Sequence, residues 1–288
     1  MKRIHLYCLA CTTLCFSFLT DVLKADELLP ADQEISAAID FYVDARLAKG
    51  DISPAARATD TTLLRRAMLD LVGRIPTADE ARRYLASTEK NKLEKIVDHL
   101  LADQAFIRHT ASELNTLLSD DRNEDLRPYL LASLASNKGW DQMFREMISG
   151  DTRQPSSQGP TSFVLKRVND LDKLTNVTSA IFFGINISCA KCHDHPLVSE
   201  WTQSHFFGMK SFFSRSFGNG DFLGEREYGA VQFKTTSGET LDAKMMFLDG
   251  ATVGEPEWKA PDSTQQAARK KELEQLKKDK KPVPVPGF

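Results

Sequence analysis

The sequence predicts a mainly α-helical protein: a multi-helix domain followed by a small β-hairpin and an irregular C-terminal part. Two observations carry this reading. A helical period runs from about Glu34 to Phe213, and the texture changes after Arg215. Hydrophobic residues are 41% of the 288-residue chain against 27% charged, enough apolar mass to bury a core.

The elements follow in order. Leu64, Ala67, Met68 and Leu71 recur at the spacing of one helix face. Ile75-Pro76 interrupts it, so that helix ends near Gly73. Thr77-Ala-Asp-Glu80 is a capping box that starts the next helix. Leu93, Ile96, Val97, Leu100 and Leu101 form a further apolar stripe, and Trp140, Met143, Phe144, Met147 and Ile148 another, closed by Gly150-Asp151. Arg153 to Pro160 reads as a polar loop, after which helix resumes through Leu171, Leu174, Val177 and Ile181.

Beyond Arg215, Gly218, Gly220, Gly224 and Gly229 break the helical pattern. Val231–Thr236 and Thr240–Leu248, on either side of Ser237-Gly238, read as a hairpin. Arg269 to Lys281 mixes many Lys and Arg with Glu272, Glu274 and Asp279, the pattern of a solvated helix or linker. Lys281 to Phe288 is extended and Pro-rich.

The N-terminus reads as an export signal. Lys2 and Arg3 precede Leu6–Leu19, an almost uncharged run short of the roughly 20 residues that span a bilayer. Leu23-Lys24-Ala25 offers a cut after Ala25. The expected organisation is therefore a signal peptide over 1–25, a helical domain over 26–213, a Gly-rich part with a hairpin over 214–258, and a charged and Pro-rich tail over 259–288. Once the signal leaves, no transmembrane helix remains, and the product is periplasmic or extracellular. The near-neutral balance, 37 Lys+Arg against 40 Asp+Glu, argues against a nucleic-acid partner.

Of five cysteines, Cys8, Cys11 and Cys15 lie in the signal. The mature chain keeps Cys189 and Cys192, in Cys189-Ala-Lys-Cys192-His193. This CxxCH spacing attaches c-type haem. Two thiols three residues apart on one turn can each bond a vinyl group, and His193 then ligates the iron. Met209 is the candidate sixth ligand, ahead of Met245 and Met246 further downstream. The competing site is zinc held by Cys189, Cys192, His195 and His205. A local disulfide is a third arrangement. Trp201, Phe206, Phe207, Phe212 and Phe213 can wall a haem or fill a core. No catalytic acid–base pair, nucleophile elbow or phosphate loop is present in the sequence, so no enzymatic activity is assigned.

Three blocks resemble a known family. Asp60–Thr77, Ser136-Asn-Lys-Gly-Trp140 through Ser149-Gly150-Asp151, and Cys189–Pro196 with Trp201-Thr-Gln203 and Phe212-Phe213 are similar to the planctomycete cytochrome-like domain family of unknown function. The resemblance covers roughly Glu34 to Gly250. It implies an exported bacterial protein whose relatives continue into a second conserved module. Partners would then be a redox protein or a separate chain carrying that module. The alternative to electron transfer is a non-haem binding or scaffolding module with a Cys/His metal site or local disulfide, and the carbohydrate-related domains of some relatives imply a role for it accessory to polysaccharide breakdown. The motif follows a long helical stretch, so the small cytochrome c fold is not expected.

Overall fold

A computed structural model describes residues 28–119, 126–151, 153–254 and 260–284. The signal with its cut near Ala25, the acid pairs Asp120-Asp121 and Glu124-Asp125, and residues 285–288 lie outside the described residues. The described chain is mainly helical, with two small antiparallel hairpins toward its C-terminal end. No helix among the described residues is long and apolar enough to cross a membrane. The described residues divide between 62 and 63 into two compact units.

In the first unit, α1 spans Ile35–Lys49. Glu34 caps it by accepting the Ala37 N–H at 3.0 Å, which satisfies one free donor of the first turn. α2 (Asp60–Val72) starts at the junction of the units.

The second unit begins within α2, whose Leu64, Met68 and Val72 are buried. Gly73 ends the helix at φ +70°, a left-handed turn that a β-carbon would strain. α3 (Ala78–Ala86) opens on the expected capping box. Thr77 Oγ1 accepts the Glu80 N–H at 3.3 Å, and Glu80 Oε2 accepts the Thr77 N–H at 2.7 Å. Arg74 grips the same carboxylate at 2.9 and 2.7 Å and holds its pKa down at about 2. This contribution is complete above the unfolded carboxylate value and is lost as pH falls toward 2. Thr77→Ala should lower stability by about 1 kcal/mol, read as an earlier urea midpoint. An unchanged midpoint would contradict the cap. α4 (Lys92–Leu101) adds Leu100 to this first core cluster, with Tyr84 from α3.

The larger core gathers α5 (Gln104–Leu118), α6 (Arg127–Ala135), α7 (Trp140–Ser149), α8 (Pro155–Leu165) and α9 (Leu171–Phe182). Leu118, Leu130, Met147, Phe163 and Leu174 are fully buried in it. Met143 and Met147 of the α7 stripe and Leu174 of the α9 stripe are buried as expected, whereas Trp140 at the start of α7 is 40% exposed.

α8 corrects the sequence reading, because Arg153–Pro160 is not all loop. Pro155 sits in the first turn, where the missing N–H costs nothing. Thr161 Oγ1 donates to Ser157 O at 2.7 Å beside the interruption at Pro160. The burial of Thr161, Phe163 and Val164 then outweighs the local propensity. Gly150 lets α7 and α8 approach: a β-carbon there would lie 2.5 Å from Thr161 Cγ2.

Arg167, 2% exposed, joins α5 and α8 at their C-terminal ends. Its guanidinium donates to Phe163 O and to Leu118 O, both at 2.7 Å, and lies over the Phe163 ring.

A third cluster packs α10 (Gln203–Ser211) against the second hairpin. The first hairpin pairs β1 (Ser216–Asn219) with β2 (Phe222–Glu225), where the sequence showed only glycine breaks. Those glycines are its working parts. Gly220 takes φ +69° at the turn, and Gly224 lies under the Phe217 ring, whose Cζ a β-carbon would meet at 2.6 Å. The second hairpin pairs β3 (Gln232–Lys234) with β4 (Thr240–Asp242), as expected but shorter. Gly208 of α10 touches the chain after β4: an added Cβ would come within 2.5 Å of Met246 Cβ. Gly208→Ala should therefore cost about 1–3 kcal/mol in a thermal or urea melt. A stability equal to wild type would show that this approach is slack. α11 (Ser263–Lys278) carries the charged tail segment, and its Leu273 O accepts from Asn219 Nδ2 at 3.1 Å.

Candidate functional site at the Cys189–His193 turn

The site is built by the exit from α9. Gly184 takes φ +69° and ends the helix. Asn186 Oδ1 then accepts from the Ser188 N–H at 3.0 Å and the Ser188 hydroxyl at 2.7 Å, which starts a short 3-10 turn over Ser188–Lys191. Ala190 is fully buried in the α10 cluster with Ile187, Phe206 and Met209. Its neighbours Cys189 and Cys192 are exposed free thiols. The turn thus anchors itself by one alanine and presents both sulfurs outward. The Cys192 N–H reaches Cys189 O at 3.3 Å and the His193 N–H reaches the same carbonyl at 3.4 Å, so all three motif residues share one turn.

Two residues that the motif reading did not single out hold this turn. Asp172, at the start of α9, binds Lys191 Nζ at 2.7 Å and Lys210 Nζ at 2.6 Å. Burial pushes its carboxyl up, but the two ammonium groups outweigh burial and keep it below the usual range. The same contact raises the Lys191 pKa. Gln203, 7% exposed, is the second. Its Nε2 donates to Lys191 O at 3.3 Å and Lys234 O at 3.4 Å, and its Oε1 accepts the Thr236 N–H at 3.2 Å. It ties the motif to the β3–β4 hairpin. Asp194 Oδ1 accepts the Gln203 backbone N–H at 3.2 Å and so links the motif to the start of α10.

The three nearby histidines differ in which nitrogen is available. His193 Nδ1 lies 2.7 Å from Asp194 O. A carbonyl only accepts, so Nδ1 carries the proton and Nε2 keeps its lone pair. That is the arrangement of a metal-binding imidazole. His195 is the reverse: its Nδ1 accepts the N–H groups of Leu197 at 3.3 Å and Val198 at 3.1 Å, so Nε2 is protonated. Its ring meets Trp201 edge-on. His205 Nδ1 accepts the Thr202 N–H at 3.2 Å at the start of α10, with the same consequence.

Cys189, Cys192 and His193 share one backbone turn, and His195 and His205 follow it on the next loop and at the start of α10. Among the described residues no cluster of three or more His, Cys, Asp or Glu is placed to hold a metal. His195 and His205 are spent on a loop and a helix cap. Met209, 5% exposed, lies in the cluster beneath Ala190. Of the aromatic residues, Phe206 and Phe207 are core, with Phe207 stacked on Phe233 at 4.5 Å. Trp201 and Phe212 pack against that cluster, and Phe213 belongs to the larger one.

These features define a helical protein with a surface-presented CxxCH turn. The family model described as PSCyt2, protein of unknown function (DUF1549), matches residues 38–217, more than half of the chain. The chain belongs to that family. No curated protein and no solved structure matches it.

Proposed function

We propose that this chain is an exported redox module that carries one covalent c-type haem on Cys189 and Cys192, with His193 as an iron ligand. The observation that carries the reading is the hydrogen bond from His193 Nδ1 to Asp194 O at 2.7 Å, which leaves Nε2 available beside two outward-facing thiols. The residues present fit the group. The thiols are accessible for bond formation, and Ala190, Asp172 and Gln203 fix the backbone that presents them. When bound, a c-haem cycles between ferric and ferrous states and so carries one electron. Cys189 and Cys192 would hold the group covalently, His193 would offer an imidazole nitrogen to its iron, and Ala190, Asp172 and Gln203 hold the turn from behind.

On this reading the protein is a cytochrome-like module of the planctomycete type, matured outside the cytoplasm after cleavage near Ala25. Its partner is a redox protein or a chain bearing the second module of the family. The protein exported from a haem-attaching host is expected to be red, with an alkaline pyridine spectrum typical of c-haem. A colourless product with two titratable thiols would contradict the proposal.

A further inference from the structure

The charged helix α11 lies outside the Cys189–His193 turn, and its packing gives it a direction. Arg269, Leu273 and Leu276, spaced i, i+4, i+7, are its half-buried residues, and Val283 just beyond it is 3% exposed. Asn219 of β1 donates to Leu273 O at 3.1 Å. The Lys281 N–H closes the helix end on Leu276 O at 2.9 Å, with Lys280 at φ +51°. The two leucines of the helix are therefore turned to the body of the second unit. Lys271 and Lys278 fall on the opposite side, Lys270 and Lys277 along one flank, and Lys280 continues the row; all five are exposed. Among the described residues none of the five forms an ion pair, whereas Lys281 reaches Asp279 at 3.8 Å. Glu274 is the one acid on that side outside a pair. Arg269–Lys281 thus gathers seven Lys and Arg against three acids in a chain of net charge −3, so the positive excess is local.

The cation types narrow the partner. The one arginine is turned to the packed side and pairs with Glu272 at 2.7 Å. A guanidinium fork recognises a single carboxylate or phosphate in a bidentate way, whereas hydrated ammonium groups on flexible stems suit a broad sheet of negative charge. α11 contains no aromatic residue, so it offers no platform on which bases could stack. We infer that α11 lies on a bilayer rich in anionic phospholipid, held by its outward lysines. It does so without insertion, because both leucines already face the protein.

The test is co-sedimentation of the full exported chain with vesicles of phosphatidylglycerol or of phosphatidylcholine, at low salt and at about 0.5 M salt. The chain should sediment with phosphatidylglycerol at low salt, release at high salt, and stay in solution with phosphatidylcholine. Each lysine near such a surface contributes about fivefold in partitioning. Lys270→Gln/Lys271→Gln/Lys277→Gln/Lys278→Gln should therefore bind at least about a hundredfold more weakly. Glutamine is a good helix former and the four lysines are exposed, so this variant should melt like wild type. No binding to phosphatidylglycerol, equal binding to both lipids, or a variant that binds as tightly as wild type would overturn the inference. Retention on a polyglutamate resin without vesicle binding, lost in the variant, would overturn the lipid partner and assign the helix to an acidic polypeptide. None of these outcomes bears on haem attachment, because none involves Cys189, Cys192 or His193.

Discussion

Arg167→Leu is expected to be the most destabilising single substitution, costing about 3–5 kcal/mol. The guanidinium is almost fully buried and donates to the last turns of two helices, at Leu118 O and Phe163 O. Hydrogen bonds from a charged donor contribute about 1.5–3 kcal/mol each, and the two carbonyls cannot turn to water once the donor is gone. Leucine restores some apolar contact with Phe163 but neither bond. A typical domain has only about 5–15 kcal/mol in total, so the variant should melt far earlier or accumulate unfolded. Arg167→Lys should recover only part of the loss, because one ammonium cannot reproduce the fork. A urea midpoint for Arg167→Leu within error of wild type would show that α5 and α8 do not depend on this bridge.

The second large effect concerns chemistry rather than stability. Cys189→Ser together with Cys192→Ser should abolish covalent haem while leaving the melting curve close to wild type. Both thiols are exposed, and the turn is held by Ala190, Asp172 and Gln203. Surface changes away from packed groups usually stay within about 0.5 kcal/mol. His193→Ala should keep attachment, since the thioether bonds do not use the imidazole, but alter the visible spectrum. Haem that stays covalently bound in the double serine variant would contradict the assignment.

Much of the fold was legible in the sequence because it rests on local signals. The stripes of α2, α4, α7 and α9 sit at helical spacing, and Thr77 and Glu80 mark a helix start that the structure reproduces. The β3–β4 hairpin was legible from Ser237-Gly238 between two strand-like runs. What was not legible depends on partners distant in sequence. α8 carries Pro155, Gly159 and Pro160, and it is helical because Phe163 and Val164 are buried in the larger core. The β1–β2 hairpin hides behind glycines that its own close contacts require. At the site, the motif was visible from spacing alone. Gln203 and Asp172 were not, because their partners are backbone groups and lysines from three other segments. Spacing also left His195 and His205 open as ligands of the competing zinc site. Only the local hydrogen bonds separate a ring with a free Nε2 from two rings that hold a loop and a cap.

The most direct measurement is the intact mass of the exported chain after denaturation. Non-covalent ligands are lost under these conditions and thioether-bound haem is not. The account predicts a mass higher than that of the mature polypeptide by one haem, and no such increment in the Cys189→Ser/Cys192→Ser variant. A bare polypeptide mass from a host shown to mature other c-type cytochromes would contradict it.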